Sequence, residues 1–113
     1  MVERFDFNSL EQPILEVVLP GAEGTIVRVT TPQEKLIERL LVVAKELKSM
    51  DTENIQVVRK VYSLVADLFN NNEDGLTFTA EDLRDKYKIR LEWLMLFIHK
   101  YMGFVERIQN AKN

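Results

Sequence analysis

The chain has 113 residues, no cysteine and a formal net charge of −3, with 46% apolar and 29% charged side chains. That length supports one hydrophobic core without staples, and the lack of cysteine removes disulfides, thiolate catalysis and cysteine-based zinc frameworks. The acidic balance, with a pI near 5.2, disfavours non-specific nucleic-acid binding and docking on anionic lipid, both of which need a basic stripe.

Residues 1–12, "MVERFDFNSLEQ", form a polar arm in which Phe5, Phe7 and Leu10 are the apolar side chains. The arm has no apolar stretch of signal-peptide length. The most apolar segment of the chain, "LEWLMLFIHKYM", is too short to span a bilayer. The reading is a soluble protein of the cytoplasm with no membrane partner.

"PILEVVLPGAEGTIVRVTTP" carries two short β-branched runs around a turn composition, which predicts a β-hairpin over residues 13–30. Leu15, Val17 and Leu19 share one face by period 2, and Val27 and Val29 alternate with Arg28 and Thr30. A lone hairpin is marginal in water, so this one must pack on helices or gain strands from another chain.

A helix follows over about residues 32–48, with Thr31 as N-cap, Pro32 in the first helical position and Glu34 completing a capping box. Its stripe is Leu36, Leu40, Val43 and Leu47, with Ile37, Leu41 and Ala44 beside it. Asp51 or Thr52 caps a second helix over about 52–69, with the stripe Ile55, Val58, Val61, Tyr62, Val65, Leu68 and Phe69. The short connection makes the two antiparallel neighbours. Thr79 then caps a helix over about 79–87, with Asp82 three residues on. The final helix, about 90–102, is apolar on nearly all sides, and Gly103 is its predicted stop, leaving 104–113 as a frayed tail. The fold class is therefore α+β, mainly α: an N-terminal β-hairpin packed on a three- to four-helix bundle, in one globular domain over 13–103.

Two segments bear on function. In "FNNNEDGLTFTAEDL", setting Gly75 at the sixth position of an EF-hand loop places Asn70, Asn72, Asp74 and Glu81 at ligand positions 1, 3, 5 and 12. The match is partial. Asn70 stands where Asp is usual, Thr77 where an apolar residue is usual, and the chain has no second loop to pair with. The plain alternative is a Gly-containing turn leading to a capped helix.

The final helix has a wider apolar arc than one core-facing stripe needs. Trp93, Phe97, Tyr101 and Met102 are residue types enriched at interfaces, so they are the candidate partner-binding residues unless the helix runs through the middle of the bundle. Phe5 and Phe7 form a second candidate patch. His99, the one histidine, has no second imidazole or thiolate to share a metal. The serines and glycines fall in no nucleophile, P-loop or dinucleotide motif. The reading is no enzyme and no cofactor.

The order of parts, with "VTTP" before the first helix and "DGLTFTAEDL" before the last two, resembles small tail assembly chaperones of long-tailed bacteriophages and of prophages in Gram-positive bacteria. The likeness covers residues 13–102 as an arrangement. It implies a non-catalytic protein of the bacterial cytoplasm that binds the long helical tape measure protein and keeps it soluble until tail-tube subunits polymerise. The tail tube protein is then a further candidate partner. A frameshifted extension occurs in some members, and this chain corresponds to the short form. Two rival readings are an EF-hand-like calcium module and a small host adaptor or regulator that binds a protein through the same C-terminal helix. The sequence leaves self-association open.

Overall fold

Two runs rich in β-branched residues, joined by a Pro-Gly turn, pair as predicted. In the computed structural model, which describes residues 1–7, 13–48 and 55–111, strand β1 (Ile14–Val18) runs antiparallel to β2 (Ile26–Thr30). Leu15 lies opposite Val29 and Val17 opposite Val27. Val27 and Val29 are fully buried, while Val18 and Ile26 on the other face are exposed. The caps Asp51 and Thr52, and Leu10 of the arm, fall outside the described residues.

Helix α1 (Glu34–Lys48) buries Leu40 and Val43, with Leu36 and Leu47 packed against the core. It starts later than the sequence implies. Its first carbonyl acceptor is Gln33, bonded by the amides of Leu36 and Ile37 at 3.0 Å each, so Thr31 is not the cap. The reason is tertiary. The Asn71 side-chain amide donates to the Thr31 carbonyl at 2.7 Å, and the Thr30 amide donates to the Asn71 carbonyl at 2.8 Å. These bonds keep the chain extended past the strand.

Helix α2 (Ile55–Asn70) is the centre of the molecule. Val61, Tyr62, Leu64, Val65, Ala66, Leu68 and Phe69 are all buried, a wider arc than the predicted stripe, which omitted Leu64 and Ala66. Ile55 is exposed. α2 packs on α1, on β2 and on the final helix α3 (Leu91–Ala111), whereas α1 and α3 barely meet each other. Helices laid on two sides of a third leave a furrow between them.

Between α2 and α3 the chain makes a side-chain-stitched turn, with Gly75 at φ 70°, a conformation glycine adopts without steric cost. The predicted capping box then forms reciprocally: the Thr79 amide donates to the Asp82 carboxylate at 3.0 Å, and the Asp82 amide donates to Thr79 Oγ1 at 3.1 Å. The helix it opens is π-helical over Asp82–Lys86, closed by the Tyr87 amide on the Asp82 carbonyl at 2.9 Å. It seats Leu83 at 0% exposure and ends at Lys88, whose φ is 52°.

α3 does not stop at Gly103. It runs on to Ala111, and Phe104 is buried, with Val105 and Ile108 packed against the core. The expected frayed tail is therefore largely helix. A glycine costs a helix interior only about 1 kcal/mol, which the burial of Phe104 offsets.

Candidate functional site

α3 sorts the predicted partner-binding residues onto different faces. Trp93, Phe97 and Tyr101 recur every four residues and share one side of the helix, but at different depths. Trp93 is 45% exposed and Tyr101 is 0% exposed. Phe97 lies half-buried between them, edge-on to Phe69 with centroids 5.0 Å apart and stacked on Tyr101 at 5.7 Å. Tyr101 is thus a core residue and not a contact for a partner. Burial pushes its phenol well above the usual tyrosine range, and its hydroxyl donates to the Thr30 carbonyl at 2.8 Å. Met102, one residue on, is turned towards α1.

The furrow between α1 and α3 is an open groove of about 640 Å³. Leu41, Ala44 and Leu47 form one wall, and Met95, Ile98 and Met102 form the other, with Gly103 between turns. Lys45 and Lys48 stand on the α1 rim, His99 and Glu106 on the α3 rim. Leu41 is 55% exposed, and Met95 and Met102 are half-buried. Glycine is not required by the backbone here: a Cβ on Gly103 would meet only the Arg107 guanidinium, at 3.5 Å. Its absence leaves room in the groove. The α1–α2 seam has a depression of the same volume, but it is walled by long charged side chains, including the ion pair Lys60–Glu46.

A smaller groove, about 150 Å³, lies where α3 passes the hairpin. Val17, Val18, Leu19 and Pro20 line one side, Trp93 and Phe97 the other. Phe5 and Phe7 lie in neither groove. They touch each other edge-on at 4.8 Å and are 70% and 78% exposed.

Two of the four candidate calcium residues, Asn70 and Asn72, have other work, while no bond engages the Asp74 or Glu81 carboxylate among the described residues. Asn70 Oδ1 accepts the Phe78 amide, and its Nδ2 donates to the Phe78 carbonyl at 2.9 Å. Asn72 Oδ1 accepts the Asp74 and Leu76 amides at 2.9 and 3.0 Å, while its Nδ2 donates to the carbonyls of Phe69 and Leu76. Oxygens that hold backbone amides stitch the turn to itself, and a cation would have to displace them. Asn71 ties the same turn to the end of β2. Among the described residues no three His, Asp or Glu side chains converge as metal ligands, and no helix is long and apolar enough to cross a membrane.

Sequence reasoning missed Ala44, Leu47, Met95 and Gly103 as groove residues. Leu41 and Ala44 beside the α1 stripe were the available signal, but which two helices flank the third is a tertiary fact. The fold and its grooves define the class: an α+β protein, mainly helical, with an N-terminal hairpin and apolar furrows on its C-terminal helix. Compared with protein-family models, with curated proteins and with solved structures, the chain matches none.

Proposed function

We propose that this protein is a non-catalytic binding module that shelters an amphipathic client helix in the α1–α3 groove. The observation that carries the reading is the groove itself: two helices held apart by a third, with apolar walls left open. A helix lays its apolar stripe into such a furrow, and methionine walls adapt to varied side chains. Among client classes, the likeness of "VTTP" and "DGLTFTAEDL" to tail assembly chaperones favours the tape measure protein. A long client with repeated apolar stripes would be coated by many copies, each bound modestly, with avidity from the number of contacts. Modest single sites let tail-tube subunits displace the coat. The setting is the cytoplasm of a bacterial host.

The test is co-expression with a candidate tape measure protein, measuring soluble client. The native chain should raise soluble yield, and Ala44→Glu, which puts a charge in the groove, should abolish the gain while circular dichroism stays native. Trp93→Ala should retain it, because Trp93 lines the other groove. No gain from the native chain removes the chaperone reading and leaves an adaptor for a different protein. An equal gain from Ala44→Glu moves the contact off this groove.

A further inference from the structure

The two edges of the hairpin are treated differently. Leu19 donates its amide to the Thr25 carbonyl at 2.8 Å, so with the observed register the pairs Val17–Val27 and Leu15–Val29 are the hydrogen-bonded ones. The backbone groups of Arg28 and Thr30 therefore point away from β1, and two of them are taken up by the turn after α2: the Glu73 amide donates to the Arg28 carbonyl at 3.2 Å and the Thr30 amide to the Asn71 carbonyl at 2.8 Å. On β1, Ile14, Glu16 and Val18 point outward in the same way, and among the described residues nothing pairs with them. A strand edge with open backbone groups is a template for another strand. Beside this edge lies the 150 Å³ groove, roughly the volume that takes one benzene ring.

We propose that this edge accepts the N-terminal arm of a second copy as a parallel third strand, with Phe5 and Phe7 turned into the groove beside Trp93. Phe5 and Phe7 are two apart, so both fall on one face of a strand, and both are exposed in the single chain. In the parallel register that sets Phe5 beside Val17 and Phe7 beside Leu19, one ring fills the groove and the other covers Pro20 and Trp93 at its mouth. The same register sets Arg4 beside Glu16 on the solvent face, where the Glu16 side chain is 64% exposed and meets Arg28 at 4.0 Å, which leaves room for a second cation; opposite charges on neighbouring strands attract. The chain's own arm cannot take this position. A parallel return needs a crossover of about a dozen residues, and only residues 8–13 separate Phe7 from Ile14. Each antiparallel return of the same arm gives up one of these contacts: one sets Asp6 against Glu16, one pairs Arg4 with Glu16 but leaves Phe7 at Pro13, away from the groove, and one sets Phe5 beside Leu19 and Phe7 beside Val17 but moves Arg4 off Glu16 to Pro20.

This inference does not depend on the client reading, and its test needs no client. The chain lacks cysteine, so Asp6→Cys and Val18→Cys proteins can be mixed in equal amounts and oxidised gently. The expected result is a reducible mixed dimer that is lost when Asp6→Cys also carries Phe5→Ser and Phe7→Ser. Light scattering on a sizing column should show concentration-dependent self-association of the native chain. Val18→Pro should abolish it with an unchanged circular dichroism spectrum, because the Val18 amide lies outside the β1–β2 ladder and an edge strand tolerates proline there. Equal cross-linking of Asp6→Cys to Thr77→Cys, a surface position of the turn, would mean random collision and overturn the proposal. So would an internal disulfide without mixed dimer in the Asp6→Cys/Val18→Cys double variant, or a native chain that stays monomeric at all concentrations.

Discussion

The Tyr101 hydroxyl donates to the Thr30 carbonyl at 2.8 Å across 71 residues of sequence. The same carbonyl accepts the Asn71 side-chain amide at 3.4 Å, and the Thr30 hydroxyl donates to the Asn71 carbonyl at 2.9 Å. One buried residue at the end of β2 thus joins the hairpin, the turn after α2 and the middle of α3.

Removing the hydroxyl tests this joint. Tyr101→Phe keeps the ring and should cost about 1 kcal/mol, the net worth of one hydrogen bond, read from urea unfolding at neutral pH.

The same variant has a pH signature. Burial raises the Tyr101 phenol above its ordinary value of 10.0. As pH rises past about 10, the unfolded chain loses this proton first, so the folded state binds more protons and stability falls with pH. The stability is fully present below that pH and declines towards the folded-state value. Tyr101→Phe should flatten the alkaline decline. A residue of it should persist from Tyr62, raised by burial against the lowering effect of Arg84. Urea midpoints across the alkaline range check both points.

In the turn, Asn72→Ala removes a side chain that makes four hydrogen bonds to the backbone. A loss of about 2 kcal/mol is expected, more than one ordinary bond because backbone groups lose their partners. Because those oxygens are already engaged, millimolar calcium against chelator should leave the melting temperature unchanged. A rise would restore the calcium reading, since a ligand that binds only the folded state stabilises it.

Gly103→Ala should stabilise α3 by about 0.5–1 kcal/mol, since the added methyl meets only the Arg107 side chain. Gly103 lines the α1–α3 groove, so the same substitution should reduce the yield of soluble client in co-expression. Stability gained with rescue lost is the signature of a glycine kept for binding.

Lys88→Gly probes the end of the π-helical turn. A left-handed non-glycine residue costs roughly 1–2 kcal/mol, part of which glycine returns as unfolded-state entropy. A net gain of up to about 1 kcal/mol in urea unfolding is expected, with the Tyr62–Ile89 bond of 2.6 Å unaffected.

What could be read from the chain alone was local. Alternation in "ILEVV" and "IVRVT" dictates the hairpin and its inward face, because side chains in a strand alternate. Thr79 and Asp82 announce their capping box because its partners are three residues apart. The stripe on α1 follows from the 3.6-residue period. The tertiary structure decided what depends on distant partners. Asn71 holds Thr30 and Thr31 extended and delays α1. α2, not α3, takes the centre, because it alone packs on both helices and on β2. Phe104 finds the core and carries α3 through Gly103. Tyr101 is drawn inside by a carbonyl 71 residues away, while Trp93, two turns earlier on the same face, stays at the surface beside β1. Periodicity specifies which residues share a face. Only packing specifies what that face meets.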